Sequence, residues 1–186
     1  MAKVIAVGIK KLYYAAPAKV TGDLTGTLLA TIIKDVSTKQ VDNIHQDTWS
    51  IEEEEPSTTE YRNQLTNGVY RQDTEMGNIQ MSFTIGQYDY ETKAAFMGGT
   101  GSETSWKRAR GVTRIEKCMI ALTEDNQYCV FPKASVIARN TNNEGAVGIG
   151  VAAAALEPDN TAVSSEYWFD SSVVVVASSL SNLSSK

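Results

Sequence analysis

His45 is the only histidine in the chain, so any imidazole chemistry would have to run through it. A Ser-His-Asp arrangement would need it as the base. No G-x-S-x-G elbow accompanies it, and its neighbours form a polar stretch. A single histidine also removes multi-histidine metal sites. The second candidate is the run Glu52, Glu53, Glu54 and Glu55. Neighbours on a strand point to opposite faces, so only Glu52/Glu54 and Glu53/Glu55 share a side. Glycoside hydrolysis needs two carboxylates in contrasting environments across a cleft, and this run supplies no contrast. The sequence predicts no catalytic residue, no cofactor, no metal ligand and no enzyme.

Gly148-Ile149-Gly150 with Ala153 satisfies G-x-G-x-x-A, and Asp170 follows about twenty residues on. A dinucleotide site needs a strand before that turn and a crossing helix after it. Here Pro158 would cut the helix short, and no βαβ alternation surrounds it, so the segment reads as a Gly/Ala-rich strand. No P-loop or calcium loop is found. Cys118 and Cys129 form neither a disulfide framework nor a C-x-x-C pair. They flank a hairpin turn at Glu124-Asp125-Asn126, which leaves a cross-strand disulfide conceivable; buried free thiols in a reducing cytoplasm are the expectation. Trp49, Trp106 and Trp168 are widely spaced, as core or interface anchors are.

The elements that would carry these residues are mostly strands. Between Thr48 and Glu54 the even positions are polar, while Trp49 and Ile51 point the other way. Across 79–85, Ile79, Met81, Phe83 and Ile85 alternate with Gln80, Ser82 and Thr84. Both patterns predict half-buried strands, over 41–54 and 79–85, each with one wet face. If the two pair antiparallel, Gln46, Thr48, Ser50, Glu52, Glu54, Gln80, Ser82 and Thr84 share one polar side. Residues 56–75 read as a long polar loop carrying Tyr61, Leu65, Val69 and Tyr70, and such a loop is expected to bind something. Residues 3–14 form a strand or arm in which Val4, Ile5, Val7 and Ile9 leave neither side polar, so a partner should cover it. A helix with Leu28, Leu29, Ile32, Ile33 and Val36 on one stripe is capped by Thr25 or Thr27. A second runs 90–97 between Asp89 and Gly98. Strands are expected at 112–122, 128–131, 134–139, 146–156 and 173–176, the chain end being Ser-rich and frayed.

At 186 residues the chain makes one domain with arms, residues 1–158, and an extension over 159–186; residues 1–22 form the arm. Net charge is −5, with pI near 5.0. Gripping a phosphate backbone takes clustered cations. The densest group here is Lys107-Arg108-Ala109-Arg110 with Arg114, a short run that reads as a solvated strand end. No secretory leader and no membrane-length apolar run is expected.

Three segments carry a resemblance: Asp47-Thr48-Trp49-Ser50-Ile51-Glu52-Glu53-Glu54-Glu55-Pro56, Phe83-Thr84-Ile85-Gly86-Gln87-Tyr88-Asp89-Tyr90, and Phe131-Pro132-Lys133-Ala134. With the order of elements over 3–158, the chain resembles the major tail tube proteins of long-tailed bacteriophages and prophages, nearest to those of Bacteroides-type phages. The resemblance implies a β-sandwich or barrel-like fold with a flanking helix. It also implies hexameric rings stacked into a hollow tube that conducts DNA, in a virion assembled in the bacterial cytoplasm. Implied partners are further copies of the chain and the tape measure, terminator and baseplate proteins; DNA passes without specific binding, and no membrane is involved. On this reading Gln46, Thr48, Ser50, Glu52, Glu54, Gln80, Ser82 and Thr84 face the lumen. Val4, Ile5, Val7, Ile9, Tyr61, Leu65, Val69 and Tyr70 make contacts between subunits or rings. Rival readings are a tube or terminator-type ring of a contractile injection system and a soluble β-rich binding module. A nucleic-acid-binding barrel needs a basic face with interleaved aromatics, whereas the cleanest wet face here is acidic.

Overall fold

Strand β1 (Lys11–Ala15) leads through a 3-10 turn into helix α1 (Gly26–Lys34); the computed structural model describes residues 5–175. Thr25 caps α1, its hydroxyl oxygen accepting the Leu28 N–H at 3.3 Å. The helix buries Leu29, Ala30 and Ile32 and stops before Val36, which is exposed rather than part of the apolar stripe. Asp35 ends it: this carboxylate takes Lys19 Nζ at 2.7 Å and the Ser37 N–H at 2.8 Å, so the chain turns there.

Short strands β2 (Lys39–Val41), β3 (Asn43–Ile44) and β4 (Ser50–Glu53) follow, then β5 (Ser57–Arg62), β6 (Val69–Glu75) and β7 (Ile79–Gln87). After helix α2 (Tyr90–Met97) come β8 (Thr100–Gly101), β9 (Trp106–Lys107), β10 (Ile115–Leu122), β11 (Gln127–Asn143), β12 (Ala146–Ala155) and β13 (Tyr167–Asp170). The protein is mainly β, as the alternation predicts.

One antiparallel sheet runs β2-β1-β10-β11-β12-β7-β3, with β4 also on β7 and β13 on β11. β2 and β3 stand at opposite ends of that order, yet only Asp42 separates them in the chain. Two residue steps span about 7 Å at most. The sheet must therefore curl until its ends meet, which makes the fold barrel-like. Leu12, Val41, Phe83, Met119, Phe131 and Ile149 fill one core inside the curl. A second core lies on the other face, where Leu29 and Ile32 of α1 pack near Cys118, Ile120 and Val130. Helix α2 begins with Asp89 accepting the Thr92 N–H at 2.6 Å and ends at Gly98, whose φ of 70° suits glycine. Its Phe96 is buried edge-on against Tyr14 (4.8 Å) and Phe83 (6.1 Å).

Several expectations are corrected. The strand expected over 41–54 is broken between β3 and β4, where Asp47 adopts a φ of 59° and the Thr48 hydroxyl donates to the His45 carbonyl at 2.7 Å. A turn held by a side-chain hydroxyl leaves the alternation intact, so the break is invisible in the pattern. The loop expected over 56–75 is a β-hairpin of β5 and β6. Pro132 does not divide the strands expected at 128–131 and 134–139. Lys117 pairs with Ala134 and Met119 with Phe131, so Pro132 and Lys133 oppose Cys118 alone in a bulge, where a missing N–H is tolerated. Residues 112–114 precede β10, and the arm becomes a strand only at Lys11. Ser171–Val173 is a 3-10 turn started by Asp170, which accepts the Ser172 N–H at 2.9 Å; Val176 lies outside the described residues.

Candidate functional site

β4 and β7 pair antiparallel with Ser50 opposite Ser82, Ile51 opposite Met81 and Glu52 opposite Gln80. The polar members fall on one side, and Ile51 and Met81 pack into the core, as the alternation predicts. Gln80, Ser82 and Thr84 in turn face Ala154, Ala152 and Gly150 of β12, and those face Ser135, Ile137 and Arg139 of β11. Small β12 residues between two taller rows make a trough of about 420 Å³. Gln80 donates to the Ser82 hydroxyl (3.1 Å), and Asn78 donates to Glu54 (3.3 Å) where the row runs off the sheet.

Thr84 holds its place in the row, opposite Gly150 and lining the trough, although it is buried; its backbone N–H donates to the Thr48 hydroxyl oxygen at 3.1 Å. One member of the predicted row is displaced. Gln46 lies in the β3–β4 turn and borders a different cavity, because the turn takes it out of the row. Ile137, 72% exposed, and Arg139 were missed. Their signal is the alternation of Ser135, Ile137 and Arg139 with Ala134, Val136 and Ala138 inside the strand expected at 134–139; what local pattern does not give is the pairing through β12 that sets this row beside β7.

The hairpin is the second feature. β5 and β6 pair with each other and, among the described residues, with no other strand. Its turn is set by Asn67, with a φ of 55°, followed by Gly68, and Leu65 sits at the tip 94% exposed. Tyr61, Val69 and Tyr70 are exposed too, and the Arg71 guanidinium lies 5.5 Å from the Tyr61 ring. At the stem Gly77 is required: a Cβ there would lie 1.8 Å from the Glu54 carbonyl oxygen.

The arm lies against the β10–β11 turn. The Val7 N–H donates to Asp125 (3.0 Å), and the Val7 carbonyl accepts from Glu124 N–H (3.2 Å). Ile5 and Val7 are exposed, Ile9 reaches the core, and Val4 is outside the described residues. Beneath the arm a cavity of about 570 Å³ is lined by Val7, Ile9, Ile44, His45, Trp49 and Glu124, among others. The Trp49 indole N–H is buried and has no hydrogen-bond partner among the described residues.

His45 does not meet a nucleophile. Its Nδ1 is 3.3 Å from the Gln46 carbonyl and its Nε2 is 3.9 Å from Glu144. Gly148, Gly150 and Ala153 lie within β12, which is paired on both sides. Cys118 and Cys129 are free and buried in different cores, and burial pushes the Cys118 thiol up to about 12 and raises that of Cys129 further. Among the described residues no three His, Cys, Asp or Glu side chains cluster to hold a metal, and no helix is long and apolar enough to cross a membrane. No protein-family model and no curated protein matches the chain.

Proposed function

We propose that this protein is a structural subunit that assembles with copies of itself into stacked rings, forming a hollow tube of the phage-tail kind. The β5–β6 hairpin carries this reading. Isolated two-stranded hairpins are marginal in water, and this one exposes Leu65, Tyr70 and Val69 with no cover from the other described residues. A neighbouring subunit that buries the tip supplies what the fold lacks. Head-to-tail contacts of one patch on another close into rings or continue as stacks.

The bore follows from the trough. It is an uncovered sheet face with carboxylates at one end, hydroxyls and an amide along β4 and β7, and small residues between. Repeated around a ring, Glu52 and Glu54 outnumber Arg139 of the same face and give a net negative lining that keeps DNA phosphates off the wall. On this reading the protein resides in the virion tail, meets other tail proteins at the tube ends, and turns over no substrate.

Negative-stain microscopy of the concentrated protein tests the proposal. Rings or hollow tubes are the expected result. A monodisperse monomer at every concentration overturns it and favours a lone β-rich binding module.

A further inference from the structure

We infer that the cavity beneath the N-terminal arm receives the loop 110–114 of a second copy of this chain, Val112 entering first; this rests on the self-assembly reading above. The cavity is specific in what it lacks. Val7, Ile9, Ile44 and Trp49 give it apolar walls, and its carboxylates are those of Asp47 and Glu124. An occupant that suits it brings an apolar side chain and positive charge together.

Arg110-Gly111-Val112-Thr113-Arg114 has both. Val112 is fully exposed and lies in neither strand nor helix. Among the described residues nothing lies within 4 Å of where a Gly111 Cβ would be, so the loop is clear of the fold there, while Thr113 anchors it beside Gly98. Arg110 is exposed with no ion pair among the described residues, and Arg114 is paired with Glu116 at 2.7 Å but remains largely exposed. Seated in the cavity, Val112 packs against Val7, Ile9 and Ile44, and the flanking arginines meet Asp47 and Glu124. A loop on one copy entering a cavity on the next is a heterologous contact, the kind that propagates. Its charge pairs sit at the rim, where they govern association and its salt dependence.

The test uses two proteins purified separately, Val112→Cys and Gln46→Cys, since Gln46 is exposed at the cavity edge. The native cysteines are buried and leave the background low. The proteins are mixed at assembling concentration, oxidised mildly and run on a non-reducing gel, with microscopy alongside. The expected result is a disulfide-linked dimer that needs both proteins and falls with added salt. Adding Arg110→Glu to the Val112→Cys protein should cut its yield by about tenfold. Rings or tubes without the mixed dimer overturn this inference and leave the assembly reading standing. Neither assemblies nor dimer overturns both. Equal dimer yield from either protein alone, or indifference to Arg110→Glu, overturns the proposed pairing.

Discussion

Glu52 and Gln80 stand opposite each other across the β4–β7 pair, one step beyond Ile51 and Met81. That register fixes the sidedness of the wet face, because a slip by one residue would send Glu52 inward and Ile51 to solvent. Ile51 and Met81 packing in the core holds the register.

The core prediction concerns Phe96. Fully buried, it ties α2 to the sheet through Tyr14 and Phe83. Phe96→Ala should lower stability by about 3–5 kcal/mol. Urea unfolding of the dilute subunit measures this, and a loss below about 1 kcal/mol would show that the helix closes over the gap.

Much of this was legible in the sequence. α2, with Asp89 and Gly98 at its ends, and the alternation of β7 are local signals, set by side chains adjacent in the chain. The hairpin was not, because Ser57 to Arg62 is polar on both faces and offers no apolar period. Its one local signal was Asn67-Gly68 between two strand-like runs. Nor was the trough's far wall, since Arg139 joins Thr84 only through β12, a pairing that local pattern cannot encode. The curl of the sheet, forced by Asp42 between its two ends, is likewise a property of topology.

At the hairpin tip, assembly and stability should separate. Leu65 and Tyr70 are exposed and contribute little to the lone fold. Leu65→Ser with Tyr70→Ser should abolish tubes while moving the unfolding free energy by no more than about 0.5 kcal/mol. Microscopy and urea titration of one preparation check both halves, and intact tubes would remove the hairpin from the assembly.

Alkaline pH should weaken the fold through its thiols. Burial raises the Cys118 thiol from an ordinary value of 9.0 to about 12. A raised folded-state value means the contribution is fully present below about pH 9 and is lost as pH rises toward 12. At pH 10 the loss from this group is on the order of 1 kcal/mol. Tyr14 and Tyr128 are raised by burial as well and act in the same direction at higher pH. Comparing urea midpoints at pH 8 and pH 10 isolates the thiol: Cys118→Ala should show the smaller fall. Equal falls in the two proteins would assign the loss to Cys129, whose thiol burial also raises, and to the tyrosines.

The last prediction is the charge of the bore. Glu52 is exposed at the end of β4, and Glu54 follows it, held by Asn78 at 3.3 Å. At physiological salt their field decays over about 8 Å, so DNA feels the wall only near contact. The hydroxyls of Ser50 and Ser82 and the amide of Gln80 exchange hydrogen bonds with water and hold no phosphate. Lysines in place of the two glutamates would pair with phosphates at every subunit of every ring, and each added contact steepens the salt dependence of binding. Neither glutamate forms an ion pair within the described residues, so Glu52→Lys with Glu54→Lys should assemble normally. Particles carrying that variant should show normal tubes and lowered infectivity. The isolated variant tubes should retain DNA at low salt and release it as salt rises. Normal infectivity with intact tubes would place these carboxylates away from the bore, on a face DNA never meets.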